Sequence, residues 1–325
     1  MKSPTFISSL APAMSDFVAL KRAAGYKYEK GVQRLSRFDR YLHEQQFQES
    51  VLSKEILMGY QTALLSTGPY ARYTRMVVAG AFTRYYQRVE PQSAVIAVNP
   101  FKHPKPTLPY IYTFDDINIL LQTAMALKPV QSIKSHVFTT LIALLHITGM
   151  RISEALHLTL KDVHHQPNRL FISKSKFDKD RWLVLRDSTA SALKSYMVVR
   201  QRFAPEEPDE PLFLNQKGAA LSYNTAQSCF RELLKKCLIG THWQGASPRL
   251  HGLRHTFATN SLLQDYRQGN DPNRKLPYLI TYMGHGDLVA TKTYLHTTPQ
   301  LMEFASQRFH DYVYSLPPTS GADDD

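Results

Sequence analysis

Between residues 99 and 110 the chain reads NPFKHPKPTLPY, with prolines at 100, 104, 106 and 109. No regular helix passes through such a stretch, because each proline removes an amide donor and crowds the preceding turn. The segment reads as a semi-rigid linker over residues 101–110. It divides the 325 residues into two folding units, which is what a chain of this length suits. Residues 1–100 form one unit and 111–315 the other. The last stretch, SLPPTSGADDD, has no core-forming residues, so 316–325 is a flexible tail.

The first unit reads as all-helical. Candidate helices are 15–26, ended near Gly25, and 31–46, with Val32, Leu35, Phe38 and Leu42 on one stripe. Ser53 suits the cap of a third, running through Ile56, Leu57 and Leu64. A fourth spans about 70–89. On it Arg72, Arg75 and Arg84 are expected to line an exposed face. Thirteen lysines and arginines against seven acidic residues leave residues 1–100 near +6. Lys102 and Lys105 on the linker add to a surface suited to a phosphate backbone.

The second unit is expected to be mostly helical with a small antiparallel sheet. Thr113 caps a helix through Ile117, Leu120 and Leu127. The apolar stretch 130–149 makes a central core helix, and a short helix covers 152–160. LFIS (170–173) and WLVL (182–185) read as strands joined by the charged hairpin connection KSKFDKDR (174–181). PLFLN (211–215) is a third strand or a loop. Further helices fall at 188–203, 222–237, 252–264, 275–283, 287–294 and 299–312.

The whole chain carries a net charge of +12, which favours a polyanionic partner, and its 43% hydrophobic content supports real cores. No apolar run reaches the roughly 18–20 residues of a membrane span. The opening MKSPTFISSLAPAM lacks a signal-peptide core. The expected setting is cytoplasmic, with no membrane partner. Cys229 and Cys237 read as reduced core residues, and there is no cysteine-rich zinc spacing.

The chemistry concentrates in three places: GMRISEAL at 149–156, HGLRHTFAT at 251–259, and MGHGDLVATKTYLH at 283–296. Arg151 follows a buried helix and so emerges from the core at a turn, where its planar guanidinium matches phosphate oxygens. Glu154 lies one turn on, placed to orient Arg151 or cap amides. His251 and Arg254, three apart, share a helix face near a helix start that suits an anion. His255 completes a His-x-x-x-His spacing, but the glutamate of a zinc-protease helix is absent and no third ligand is near, so no metal is expected. His285 sits at a helix junction and Tyr294 on the helix after it. A phenol attacking phosphorus needs cations around it and an acid for the leaving sugar oxygen. Lys174, Lys176 and Lys179 in the hairpin connection all suit that acid. The set describes a DNA-cutting enzyme that conserves the phosphoryl bond in a covalent phosphotyrosine. No nucleotide-binding Walker motif appears, and no cofactor is expected.

These motifs, in this order and spacing, resemble the tyrosine recombinase/integrase family of DNA breaking–rejoining enzymes, over nearly the whole chain. The resemblance implies a mainly α two-domain architecture: a helical core-binding domain and a catalytic domain with a small antiparallel sheet, forming a clamp around DNA. It matches Arg151 to the first catalytic arginine, His251 and Arg254 to the His-x-x-Arg box, His285 to the second histidine and Tyr294 to the nucleophile. The family's lysine lies five residues before an arginine that opens the second strand, which selects Lys176. Double-stranded DNA, a dimer on each site, a tetrameric synapse and host or element-encoded accessory proteins are the implied partners. Site-specific recombination in a prokaryotic nucleoid, moving a mobile element by integration, excision or transposition, is the implied activity. The stretch 265–285 is longer than in the simplest members, and little room precedes residue 12 for an arm-type domain. A non-catalytic accessory protein with the same fold and a type IB topoisomerase are the rival expectations. The Gly-His…Tyr spacing and the length favour the recombinase.

Overall fold

The computed structural model describes residues 5–104, 107–129, 132–173 and 180–284. Its contacts divide into two compact units, Met1–Pro106 and Thr107–Asp325.

The first unit is built from α1 (Ala11–Ala23), α2 (Glu29–Glu44), α3 (Lys54–Ala63), extended by one 3₁₀ turn at Leu64–Ser66, and α4 (Pro69–Tyr86). Helix α1 starts four residues earlier than its periodicity suggests, because Pro12 suits a first helical turn and buried Asp39 pins what precedes it. The Asp39 carboxylate accepts the amides of Ile7 and Ser8, each at 2.9 Å. Ser53 caps α3 as expected, its hydroxyl accepting the Ile56 amide at 3.3 Å. Phe17, Leu35, Phe38, Leu42, Met76 and Phe82 form the core, with Phe17 and Phe82 edge to face at 5.7 Å. The beginning of the proline-rich segment packs here. Asn99 donates to the Tyr73 carbonyl at 3.0 Å, and Phe101 lies against the core.

The three arginines of α4 do not line one exposed face. At about 100° per residue, Arg84 lies roughly 180° around the helix from Arg75. Arg72 and Arg75 are half-buried, and Arg72 lies over the Phe101 ring, 5.6 Å from its centroid. Arg84 is exposed and donates to the Ile96 carbonyl at 3.1 Å.

In the second unit, Thr113 and Asp116 form a reciprocal capping box at the start of α5 (Phe114–Met125). Helix α6 (Lys134–Thr148) is the central helix, packed by α5, by α8 (Asp187–Arg200) and by α10 (Leu250–Arg267). It ends at Gly149, whose φ of 61° is left-handed. A short α7 (Ile152–His157) and a 3₁₀ turn (Leu160–Asp162) lead into the sheet. That sheet has three antiparallel strands in sequence order: β1 (Val163–His165), β2 (Asn168–Ile172) and β3 (Arg181–Val184). Leu170 pairs with Leu183, and the period of two buries Leu170, Ile172 and Leu183 on the core side. Strand β1 was not anticipated, since Val-His-His is too short to show alternation. PLFLN is not a strand. Leu212, Phe213 and Leu214 are buried, but they contribute only isolated bridges, Thr159 to Pro211 and Leu214 to Ala220. A proline at one end and a tight turn at the other, where Asn215 accepts the Lys217 and Ala219 amides, stop the ladder.

Helices α9 (Tyr223–Lys236), α10 and α11 (Pro272–Met283) complete the described unit. Cys229 is buried and Cys237 half-buried, both free thiols. The helices expected at 287–294 and 299–312 lie outside the described residues. Among the described residues no helix is long and apolar enough to cross a membrane.

Candidate active site

Arg151 stands immediately before α7, in extended backbone, where the chain leaves α6 through Gly149 and buried Met150. A side chain at position 149 would crowd its neighbours. A Cβ there would lie 2.3 Å from Cδ1 of Phe257 on α10. Glu154, on the first turn of α7, does both things expected of it. Oε2 accepts the Arg151 amide at 2.8 Å, and Oε1 accepts Arg151 Nη1 at 2.7 Å.

The same carboxylate has a second partner that sequence reasoning used only as a landmark. Arg181, the first residue of β3, donates Nη1 to Oε1 at 3.0 Å and Nη2 to Oε2 at 2.7 Å. Burial pushes the Glu154 carboxyl up, but the hydrogen bonds and charges of Arg181 and Arg151 outweigh it and hold the group below its ordinary value. Glu154 is therefore a carboxylate at neutral pH, with four donors on two oxygens.

Arg254 is buried on α10, 1% exposed. Its Nη1 donates to the Gly149 carbonyl and its Nη2 to the Met283 carbonyl, both at 2.7 Å. Arg151 Nη2 reaches the Gly284 carbonyl at 2.5 Å, and Arg181 Nε the Tyr282 carbonyl at 2.9 Å. Three guanidinium groups from three elements thus bind three successive carbonyls at the end of α11. A helix C-terminus leaves carbonyls without intrahelical partners and carries partial negative charge, so cations are the natural occupants. Gly284 has a left-handed φ of 65°, and a Cβ on it would lie 2.8 Å from Arg181 Nη1. The Gly of the Gly-His pair is thus the residue that lets Arg181 approach the backbone.

His251 opens α10 beside this cluster. Its ring meets that of His255 edge to face, with centroids 4.8 Å apart. The residue as a whole is exposed. Desolvation by its packed side, then the charges of Arg254, Arg249 and Arg151, lower its pKa to about 4. A neutral imidazole therefore faces the site at neutral pH.

Of the residues singled out from sequence, Arg151, His251 and Arg254 come together, with Glu154 and Arg181 joining them. Three arginines and one carboxylate leave this cluster at about +2, which suits a phosphodiester. Lys176, His285, Tyr294 and Lys105 lie outside the described residues. Arg72, Arg75, Arg84 and exposed Lys102 belong to the first unit. The described residues hold no cluster of three or more His, Cys, Asp or Glu arranged for a metal. A cavity of about 680 Å³ between α5 and residues 237–243, lined by Asp115, Ile119, Cys237 and Trp243, touches none of the site residues.

Residues 112–300 match the model of the phage integrase family. The chain is 29% identical over 308 residues to the "Putative integrase/recombinase y4rB" of Sinorhizobium fredii, covering 93% of this chain and 97% of that one. It is 31% identical over 206 residues to the tyrosine recombinase XerD of Caulobacter vibrioides, covering 62% of each. Among solved structures, the Tn1549 transposon integrase in complex with transposon right end DNA superposes with a TM-score of 0.64 at 18% identity, covering 94% of this chain and 100% of that one. XerH bound to its difH substrate gives 0.61 at 20% identity, covering 86% of this chain and 79% of the other. These two structures share the fold. The chain belongs to the phage integrase family, and it is a DNA strand breaking–rejoining enzyme of the tyrosine recombinase type.

Proposed function

We propose that this phage-integrase-family member recombines double-stranded DNA at short specific sites, moving a mobile element by integration or excision, with Tyr294 as nucleophile. In this reading the Tyr294 phenol attacks the scissile phosphorus, and the bond from phosphorus to the sugar 5′-oxygen breaks. A 3′-phosphotyrosyl bond remains. Lys176 supplies the proton that the leaving 5′-oxygen takes up, and His251 accepts the proton that the phenol loses. Arg151 and Arg254 stabilise the non-bridging oxygens as charge builds on them, and His285 donates to one of them. The 5′-hydroxyl of a partner strand then reverses the step on the new junction.

The observation that carries the reading is the convergence of Arg151 and Arg254 on the carbonyls of residues 284 and 283, adjoining His285 in the chain, with His251 alongside. The neutral imidazole of His251 suits a proton acceptor, and an approaching phosphate anion raises its basicity toward the useful range. Duplex DNA is the partner, with one protomer on each half-site and four in a synapse. A solved integrase dimer bound to a core site supports the pairing of two protomers on one site. Arg75, Arg84, Lys102 and Lys105 contribute backbone contacts, and Arg72, stacked on Phe101, a weaker one. The setting is the nucleoid of a prokaryotic cytoplasm.

Covalent trapping tests this. The wild-type chain, incubated with a nicked library of element ends, should form an adduct that survives denaturing electrophoresis. Tyr294→Phe should bind the same DNA and form none. An adduct formed by Y294F would remove Tyr294 from the role.

A further inference from the structure

Arg181 has no task at the phosphate in the reading above, yet its side chain makes three hydrogen bonds. Two saturate Glu154, one holds the Tyr282 carbonyl, and its guanidinium packs on Gly284. Glu154 is what gives this pattern consequence. A buried carboxylate shared by one arginine forms a neutral pair, and Arg151 would then bring no net charge to a phosphate. Shared by two arginines, the same carboxylate leaves one positive charge uncompensated. Both acceptor oxygens are also occupied, so Arg151 is drawn toward Glu154 through a single side-chain bond, from Nη1.

We propose that Arg181 is a positioning residue that neutralises Glu154, so that Arg151 keeps its charge and its remaining donors for the scissile phosphate. The inference rests on the reading of Arg151 as a phosphate ligand. It assigns Arg181 a task distinct from that of Lys176, which lies five residues earlier in the chain. An arginine that merely fastened the hairpin to the core would serve proton delivery to the leaving group. An arginine that balances Glu154 serves the non-bridging oxygens.

The two tasks separate by substrate chemistry. The probe is the duplex recovered by trapping the wild-type full-length chain, resynthesised in three forms: an ordinary phosphate, a scissile methylphosphonate and a 5′-bridging phosphorothiolate. The methylphosphonate replaces a charged non-bridging oxygen by methyl and so needs less cationic help. The phosphorothiolate has a leaving group that needs no proton. On ordinary DNA, Arg181→Met should slow adduct formation roughly 10²–10³-fold, the scale of losing one preorganised donor to a developing oxyanion. Binding of the duplex, which depends on many phosphates, should change little. On methylphosphonate DNA, R181M and R151A should both come within about tenfold of the wild type, and phosphorothiolate DNA should rescue neither. Adding Glu154→Gln to R181M should restore part of the rate on ordinary DNA, because the carboxylate that captures Arg151 is gone.

Rescue of R181M by the phosphorothiolate alone, or by neither substrate, would overturn the proposal, as would a double variant no faster than R181M. If R151A itself fails to respond to methylphosphonate while the wild type reacts, the fault lies in the reading of Arg151. Should R181M not fold, as judged by its tryptophan emission, Arg181→Lys keeps the charge. It should then show the same rescue pattern from a smaller defect.

Discussion

Replacing Gly149 by alanine tests the joint between the central helix and the arginine cluster, and its cost follows from two separable terms. The residue has a φ of 61°, and an L side chain in that left-handed region costs about 1–2 kcal/mol. The added Cβ would also sit 2.3 Å from Cδ1, 2.8 Å from Cγ and 3.0 Å from Cε1 of Phe257. Carbon atoms in contact prefer about 3.5–4 Å, so the ring must retreat by roughly an ångström or more. It is stacked on Tyr282, with centroids 5.7 Å apart and planes 26° apart, so its retreat disturbs a packed neighbour. Overpacking of this kind costs about 1–3 kcal/mol, and the sum is about 2–5 kcal/mol. The chain carries two tryptophans, Trp182 and Trp243, both in the second unit. A urea titration followed by tryptophan emission therefore reads that unit by itself. The same substitution made in a Phe257→Ala background should cost only the conformational part, about 1–2 kcal/mol. A loss below about 1 kcal/mol in the wild-type background, or an equal loss in both backgrounds, would refute the reasoning.

Other perturbations reach the same cluster from different sides. Glu154→Gln removes a buried charge shared by two arginines and should destabilise the second unit by about 3–5 kcal/mol at neutral pH. Because the folded pKa of Glu154 is lowered, its contribution is complete above the unfolded value of about 4.3 and is lost as pH falls through the folded one. The gap between wild type and E154Q should thus narrow in acid, and a gap independent of pH would contradict the assignment. The His251 ring, followed by NMR in the free protein, should titrate near 4. A midpoint at or above about 6.5 would show that neither its desolvation nor the surrounding cations act on it. The same shift makes His251 favour unfolding as pH drops from about 6.5 through its folded value, because the unfolded chain takes up the proton first. Adduct formation by purified protein should persist in excess chelator, since guanidinium groups are proposed to carry the charge stabilisation that metals give elsewhere. Loss under EDTA that magnesium or zinc restores would count against that mechanism.

What could be read from the residues themselves follows from what local pattern encodes. The stripe Leu35, Phe38, Leu42 and the caps at Ser53 and Thr113 are short-range signals, and each appears in the fold where its spacing put it. Element starts were less legible. Asp39 holds the chain before α1 from 31 and 32 residues away, and no window around residue 7 contains that information. Strand β1 exists because β2 pairs with it, Val163 opposite Leu170, rather than because Val-His-His prefers to be extended. The face expected for Arg72, Arg75 and Arg84 failed on geometry available beforehand: a separation of nine residues turns a helix by two and a half revolutions.

The site divides in the same way. Arg151, His251 and Arg254 are recognisable because their side-chain chemistry and spacing recur together. Arg181 was visible only as a marker for a lysine, because its function depends on acceptors that a sequence does not display. Backbone carbonyls have no letter of their own, and those of Tyr282, Met283 and Gly284 become acceptors only because α11 ends there. The stretch 265–285 that looked like a mere insertion therefore acquires a definite task. It delivers a helix C-terminus to three guanidinium groups, and each of those cations compensates a dipole end. The glycine at 284 completes the argument. It is required because a Cβ would meet Arg181, so the Gly-His pair carries a packing constraint in its first residue and a proposed chemical one in its second. A cluster of like charges would otherwise repel itself apart. Here Glu154 and the helix end hold it together before any DNA arrives, so the cost of gathering those charges is met in folding rather than in the reaction.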